Sequence, residues 1–177
     1  MREGWRVEVV APPEEAEAAA AARGPTESLE AYVRRLARVK AEAVAAAGQF
    51  GTLLACDTLS EVDGRLLGKP ADRADAERML RSLSGRVHRV VTGVCLWQRP
   101  ERDPIQADAE SILEMGPLDE EFLAWYLDSG MWQGKAGACG YQDDRLPLRV
   151  LAGSESNVVG LPLELVRRLL AELDACS

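Results

Sequence analysis

The chain has 177 residues, 47% of them hydrophobic, and a formal net charge of −8, which is enough for one well-buried domain and calls for no second. The acidic balance argues against a nucleic-acid backbone or an anionic membrane as the main partner, although a local cluster of lysines can still hold a small anion. Cys56, Cys95, Cys139 and Cys176 form no C-x-x-C pair, so neither a zinc site nor a compact disulfide framework is indicated, and reduced thiols in a cytoplasm are the simplest reading.

Met1-Arg2-Glu3-Gly4-Trp5 lacks the apolar core of a signal peptide, and no apolar run approaches the roughly 20 residues that span a bilayer. Arg6 to Val10 alternates polar and apolar, which predicts a short strand running into Pro12-Pro13. Pro25-Thr26-Glu27-Ser28 is a helix start signal. Behind it Leu29, Tyr32, Val33, Leu36, Val39, Ala43 and Ala47 form an apolar stripe up to Gly48, with Lys40 beside it. Leu53-Leu54-Ala55 reads as a strand covered on both faces and ending in Asp57 and Thr58, where ligands of open α/β sheets bind. Asp63-Gly64 is a two-residue hairpin signal. Its register puts Val62 opposite Arg65 and, continued, Thr58 opposite Lys69. Strict alternation then sends Asp57 to the other face, so a bend at the strand end is expected to reconcile them.

Asp72 caps a helix with Ala76, Met79, Leu80 and Leu83 on one face, ended by Ser84-Gly85. Val87 to Trp97 reads as a long strand, Arg99 to Asp108 as a loop, and Glu110 to Met115 as the pairing strand. Asp119 caps a short helix carrying Phe122, Leu123, Tyr126 and Leu127, closed by Ser129-Gly130. A glycine-rich segment over residues 134–142 follows. Leu148 to Ala152 is a last strand, and Pro162 opens a terminal helix with Leu165, Leu169, Leu170 and Leu173. The alternation predicts one α/β (α+β) domain over residues 1–177: a mixed central sheet, flanking helices and a long antiparallel hairpin.

Taken singly, the candidate site residues have ordinary explanations. Lys40 can snorkel from the stripe edge to water, Asp57 can cap a turn, and Lys69 can be an exposed residue before Pro70. Only the joint placement of Asp57, Thr58 and Lys69 raises the functional odds. Gly134, Gly137 and Gly140 match neither a P-loop nor a dinucleotide fingerprint. Gln142 carries a donor and an acceptor suited to a base edge or a phosphate, and equally to solvent. His88 is the only histidine, which leaves a histidine metal site or a Ser-His-Asp triad poorly supported; it reads as a hydrogen-bonded strand residue. Glu110 and Glu114 read as solvated.

In chain order, the Tyr32 to Lys40-Ala41 helix, Ala55-Cys56-Asp57-Thr58, Gly64 through Leu67-Gly68-Lys69-Pro70, Met79-Leu80 with Leu83-Ser84-Gly85, His88 to Thr92, Lys135-Ala136-Gly137-Ala138 to Gln142, and Asn157 to Gly160-Leu161-Pro162 resemble the Maf family. These are septum-formation-related nucleoside triphosphate pyrophosphatases. The resemblance implies a Maf/inosine triphosphatase-like fold and hydrolysis of the α–β phosphoanhydride of a nucleoside triphosphate with a divalent cation, Mg²⁺ or Mn²⁺. It implies Asp57 as proton acceptor, Lys40 and Lys69 on phosphate oxygens, and Thr58 and Gln142 where members of the dTTP/UTP-hydrolysing subgroup place substrate-selecting residues. The family's acid after the first long strand corresponds to Glu17, with Glu14 and Glu15 close by, so that Asp57 and Glu17 would hold the metal. No nucleic acid or membrane partner is implied, and a homodimer is left open.

Two departures stand against the family pattern. Its members begin with a strand and a Ser-x-Ser-Pro-Arg-Arg-like loop that grips phosphate, and the expectation is that this chain is N-terminally truncated. Cys56 also replaces a more usual alanine, and Cys139-Gly140-Tyr141 a more aromatic segment. The alternatives are a catalytically weakened nucleotide-binding or division-regulating protein, and a phosphoester hydrolase that releases inorganic phosphate first.

Overall fold

The computed structural model describes residues 4–11, 22–143 and 145–175. Within them lie α1 (Leu29–Ala46), β1 (Gly51–Val62), β2 (Arg65–Leu67), α2 (Arg73–Leu83), β3 (Val87–Arg99), β4 (Ile105–Met115), α3 (Glu120–Asp128), β5 (Leu148–Ala152), α4 (Glu155–Val158) and α5 (Leu163–Ala175). The strands form one sheet in the order β2-β1-β3-β4-β5. The α/β class stands, but every described pairing is antiparallel, where the sequence predicts a mixed sheet. The predicted strand over Arg6 to Val10 does not form: residues 4–11 have no regular structure and Val9 is 92% exposed. Alternation becomes a strand only where a neighbour takes up the backbone hydrogen bonds, and no described strand lies alongside.

Local signals account for most element starts. Ser28, Asp72 and Asp119 each accept a hydrogen bond from the main-chain N–H three residues on, satisfying a donor the helix leaves unpaired. Asp63 and Gly64 both take positive φ, as the two-residue turn requires. The loop predicted over Arg99 to Asp108 is shorter than expected, because β4 already begins at Ile105 and pairs with Leu96.

One face of the sheet is covered by α1. Its row Leu29, Val33, Ala37, Ala41 and Ala45 is buried against β1 and β3. Closest approach is at Gly93, the β3 partner of Asp57. A Cβ there would lie 2.2 Å from the Val33 carbonyl carbon and oxygen, so the helix backbone rests directly on this glycine. Tyr32, Leu36, Val39 and Lys40 therefore do not belong to the packed row; they turn toward a cavity.

The opposite face is covered at one end by α5, through Val166, Leu169 and Leu173 against Val94 and Leu96, and at the other by α2 and α3 around Leu80, Leu83 and Tyr126. The gap between these clusters is closed by loops at residues 134–143 and 158–160. Asn157, 1% exposed, pins the second loop: its Nδ2 donates to the Val90 carbonyl and to Ser111 Oγ, and its own carbonyl accepts from Thr92 Oγ1. Among the described residues no helix is long and apolar enough to cross a membrane.

Candidate active site

The β1–β2 hairpin forms with the predicted Val62 to Arg65 register but pairs only as far as Ser60 with Leu67. The expected continuation to Thr58 opposite Lys69 does not occur. Gly68 instead gives its carbonyl to the Gly137 N–H at 3.0 Å, so the glycine-rich loop takes the place a longer β2 would occupy. Thr58 pairs with Thr92 of β3 on its other side. Among the described residues the outer edge of β1 thus lacks a partner strand before Ser60. By antiparallel alternation Thr58 directs its main-chain N–H and C=O at that open edge.

A cavity of about 590 Å³ wraps this edge, within the range of small-molecule sites. Neither the bend nor the strand end expected at Thr58 exists, since β1 runs straight on to Val62. Asp57 and Thr58 stay on opposite faces, and both reach one cavity because its walls come from both sides of an unpaired edge. Nor is the strand covered on both faces, as Leu54 is 39% exposed.

The α1-side wall carries the charge. Lys40 Nζ lies 2.6 Å from Asp57 Oδ1, with the two side chains 21% and 14% exposed. Lys40 therefore does not snorkel to water; it faces a carboxylate across the cavity wall. Lys69 also lines the cavity, is exposed, and makes no ion pair with the described residues. Gln142 lines it from the loop. The Thr58 hydroxyl is already engaged, 2.8 Å from Thr92 Oγ1. Five of the six predicted site residues, Lys40, Asp57, Thr58, Lys69 and Gln142, come together in this one space. Glu17, with its neighbours Glu14 and Glu15, lies outside the described residues.

Sequence reasoning missed Asp143. It bonds Lys135 Nζ through both oxygens at 2.5 and 2.7 Å, and its Oδ2 also accepts from Tyr126 Oη at 2.6 Å and the Gly140 N–H at 2.9 Å. Burial pushes its carboxyl up, but these donors outweigh it and hold the group below the usual carboxylate range. A folded value below the unfolded one contributes stability above the unfolded pKa of about 4 that is lost as pH falls through the folded one. Asp143→Asn is accordingly expected to lower stability in urea titrations by about 2 kcal/mol at pH 7, a gap that narrows as the pH falls below about 4.

The cavity thiols are not nucleophiles, since burial pushes both Cys56 and Cys139 up to about 12. Glu110 and Glu114 are solvated as expected, their side chains 43% and 41% exposed, and they pair at the surface with Arg89 and Arg149. Among the described residues no three His, Cys, Asp or Glu side chains cluster as a metal cage. The donor set fits a hard cation in the company of substrate, because Mg²⁺ takes one or two carboxylates plus phosphate oxygens and Asp57 is a carboxylate on the cavity wall.

The family profile described as "Maf-like protein" matches residues 1–173. The chain is 48% identical over 143 residues to a protein of Rhodopirellula baltica named dTTP/UTP pyrophosphatase, covering 80% of this chain and 63% of that one. A protein of the same name from Symbiobacterium thermophilum is 43% identical over 165 residues, covering 93% and 82% of the two chains. A third, from Thermococcus gammatolerans, is 42% identical over 136 residues, covering 76% and 71%. The match thus spans less than two thirds of the Rhodopirellula protein's length.

Proposed function

The chain belongs to the Maf-like protein family, and from that premise we propose that it is a nucleoside triphosphate pyrophosphatase acting on dTTP and UTP, the substrates in its relatives' names. The observation that carries the reading is the Lys40–Asp57 pair at 2.6 Å on the wall of a cavity that also receives Lys69. A carboxylate flanked by two ammonium groups suits in-line displacement at a phosphorus, where positioning and charge neutralisation do most of the work.

In this reading the triphosphate competes with Asp57 for the Lys40 ammonium, and Lys69 takes a second set of phosphate oxygens. Asp57 accepts a proton from a water molecule as that water's oxygen bonds to the α-phosphorus. The bond from α-phosphorus to the bridging oxygen breaks, and pyrophosphate leaves with the electron pair. A divalent cation held by Asp57 and the phosphates, with Glu17 as a further ligand, would supply additional neutralisation of the phosphate charge when bound. The free thiols of Cys56, Cys95 and Cys139 suit a reducing cytoplasm.

Incubation with UTP and Mg²⁺ should yield UMP and pyrophosphate, whereas UDP and inorganic phosphate would overturn the reading in favour of a phosphoester hydrolase. Lys69→Met should raise KM for UTP roughly tenfold or more, by loss of a charge-assisted contact, and should leave thermal stability nearly unchanged because Lys69 is exposed. An unchanged KM would remove Lys69 from the site.

A further inference from the structure

Antiparallel pairing sets Thr58 of β1 directly opposite Thr92 of β3. Gly93 turns its Cβ direction toward α1, so its neighbour Thr92, and Thr58 across from it, turn to the other face of the sheet. Thr92 is fully buried and does not itself line the cavity, whereas Thr58 is half-buried and does. Thr92 Oγ1 lies 2.8 Å from Thr58 Oγ1 and 3.1 Å from the main-chain oxygen of Asn157. That same oxygen accepts from the Gly160 N–H at 3.0 Å. Gly160 in turn lies over Thr58, since a Cβ on it would be 3.3 Å from Thr58 Oγ1.

Only one placement of the hydroxyl hydrogens satisfies both contacts of Thr92. A hydroxyl carries one hydrogen and two lone pairs, and a carbonyl oxygen only accepts. Thr92 therefore spends its hydrogen on Asn157, and the 2.8 Å contact to Thr58 is a hydrogen bond only if Thr58 donates it. With its hydrogen committed, Thr58 Oγ1 has lone pairs alone to offer the cavity. Phosphate oxygens are acceptors as well and gain nothing from such a group. The parts of a nucleotide that can donate to it are a sugar hydroxyl or a ring N–H. An unattached threonine hydroxyl would rotate to serve either kind of partner, and buried Thr92 removes that freedom.

We propose that Thr92 is a positioning residue: by accepting the Thr58 hydrogen and passing its own to the Asn157 carbonyl, it holds Thr58 Oγ1 as a hydrogen-bond acceptor for the nucleoside part of the substrate and withholds it from the phosphates. The inference rests on the nucleotide-hydrolase reading above. It divides the ligand between two adjacent residues of β1. Asp57, beside Lys40 on the α1 side, meets the triphosphate, and Thr58, on the other side of the open edge, meets the nucleoside. Thr92→Val keeps the shape of the side chain but can no longer accept, so the Thr58 hydrogen is released into the cavity and the acceptor is lost. The Asn157 oxygen still holds the Gly160 N–H in that variant, which leaves the turn over Thr58 its main-chain support.

The test uses the full chain, with calorimetric titration by uridine and by inorganic pyrophosphate, and pyrophosphate release from UTP with Mg²⁺. Thr92→Val should weaken uridine binding about tenfold, the worth of one hydrogen bond, and leave pyrophosphate affinity unchanged. It should raise KM for UTP by a similar factor with kcat largely kept, because the contact is made alike by substrate and transition state. Thr92→Ser, which keeps the hydroxyl, should recover most of the uridine affinity. A merely structural loss would weaken both ligands together. Equal weakening of uridine and pyrophosphate in Thr92→Val, unchanged uridine affinity in that variant, or no uridine binding to the unsubstituted protein at millimolar concentration overturns the inference. Should Thr92→Val not fold, Thr58→Val decides by the same comparison: loss of uridine with pyrophosphate retained supports the inference, and weakened pyrophosphate or unchanged uridine overturns it. Uridine affinity that depends on Thr92 in a protein releasing no pyrophosphate supports the positioning role while sinking the hydrolase reading. Pyrophosphate release from UTP with the same KM in Thr92→Val does the reverse.

Discussion

Asp57→Asn is expected to lower pyrophosphate release from UTP or dTTP by roughly 10²–10⁴-fold, the range general-base removal produces, while nucleotide binding persists. The asparagine keeps the shape of the side chain but cannot take a proton from water. It also removes the carboxylate charge that lies 2.6 Å from the Lys40 ammonium in the unsubstituted protein. With one negative charge fewer on this wall a triphosphate is attracted more strongly, so KM should stay level or fall while kcat collapses. That split separates loss of the base from loss of the fold, which would depress both binding and turnover. Unchanged turnover in Asp57→Asn would remove Asp57 from the chemistry.

Gly93→Ala should act on the same pair from beneath. The added methyl would meet the Val33 carbonyl carbon and oxygen at 2.2 Å and the Arg34 nitrogen at 2.5 Å, all of them backbone atoms that no rotamer change can move aside. The helix α1 must then lift from the sheet or β3 must bend. Overpacking of this kind typically costs about 1–3 kcal/mol, and with a helix backbone as the obstacle the upper end is expected. Lys40 rides on α1 and Asp57 on β1, so lifting the helix opens their contact. Gly93→Ala should therefore lose most turnover even at temperatures where circular dichroism shows the protein folded. A variant with unaltered melting temperature and activity would mean that α1 does not sit on Gly93 as described.

These two positions also mark where the sequence was legible and where it was not. The caps at Ser28, Asp72 and Asp119 were readable because each acts over three residues, as was the Asp63-Gly64 turn. The register beyond that turn was not, because a long-range partner decides it: Gly137 captures the Gly68 carbonyl and stops β2 at Leu67. With β2 cut short, the edge of β1 opens and residues from both faces share a cavity. Alternation describes faces and so called for a bend to bring Asp57 and Thr58 together, whereas the site is at an edge and needs none. The small alanines of α1 that pack on the sheet were similarly hidden behind larger neighbours. Tyr32, Leu36 and Val39 gave the stronger apolar signal, yet they face the cavity. Asp143 left no local trace, since its partners Lys135 and Tyr126 lie eight and seventeen residues away.

The central claim, that water attacks the α-phosphorus with Asp57 as base, is tested most directly by a single turnover of UTP in ¹⁸O-labelled water with mass analysis of both products. The site described here predicts one ¹⁸O in UMP and none in pyrophosphate. Label in pyrophosphate, or in inorganic phosphate released alongside UDP, would contradict it.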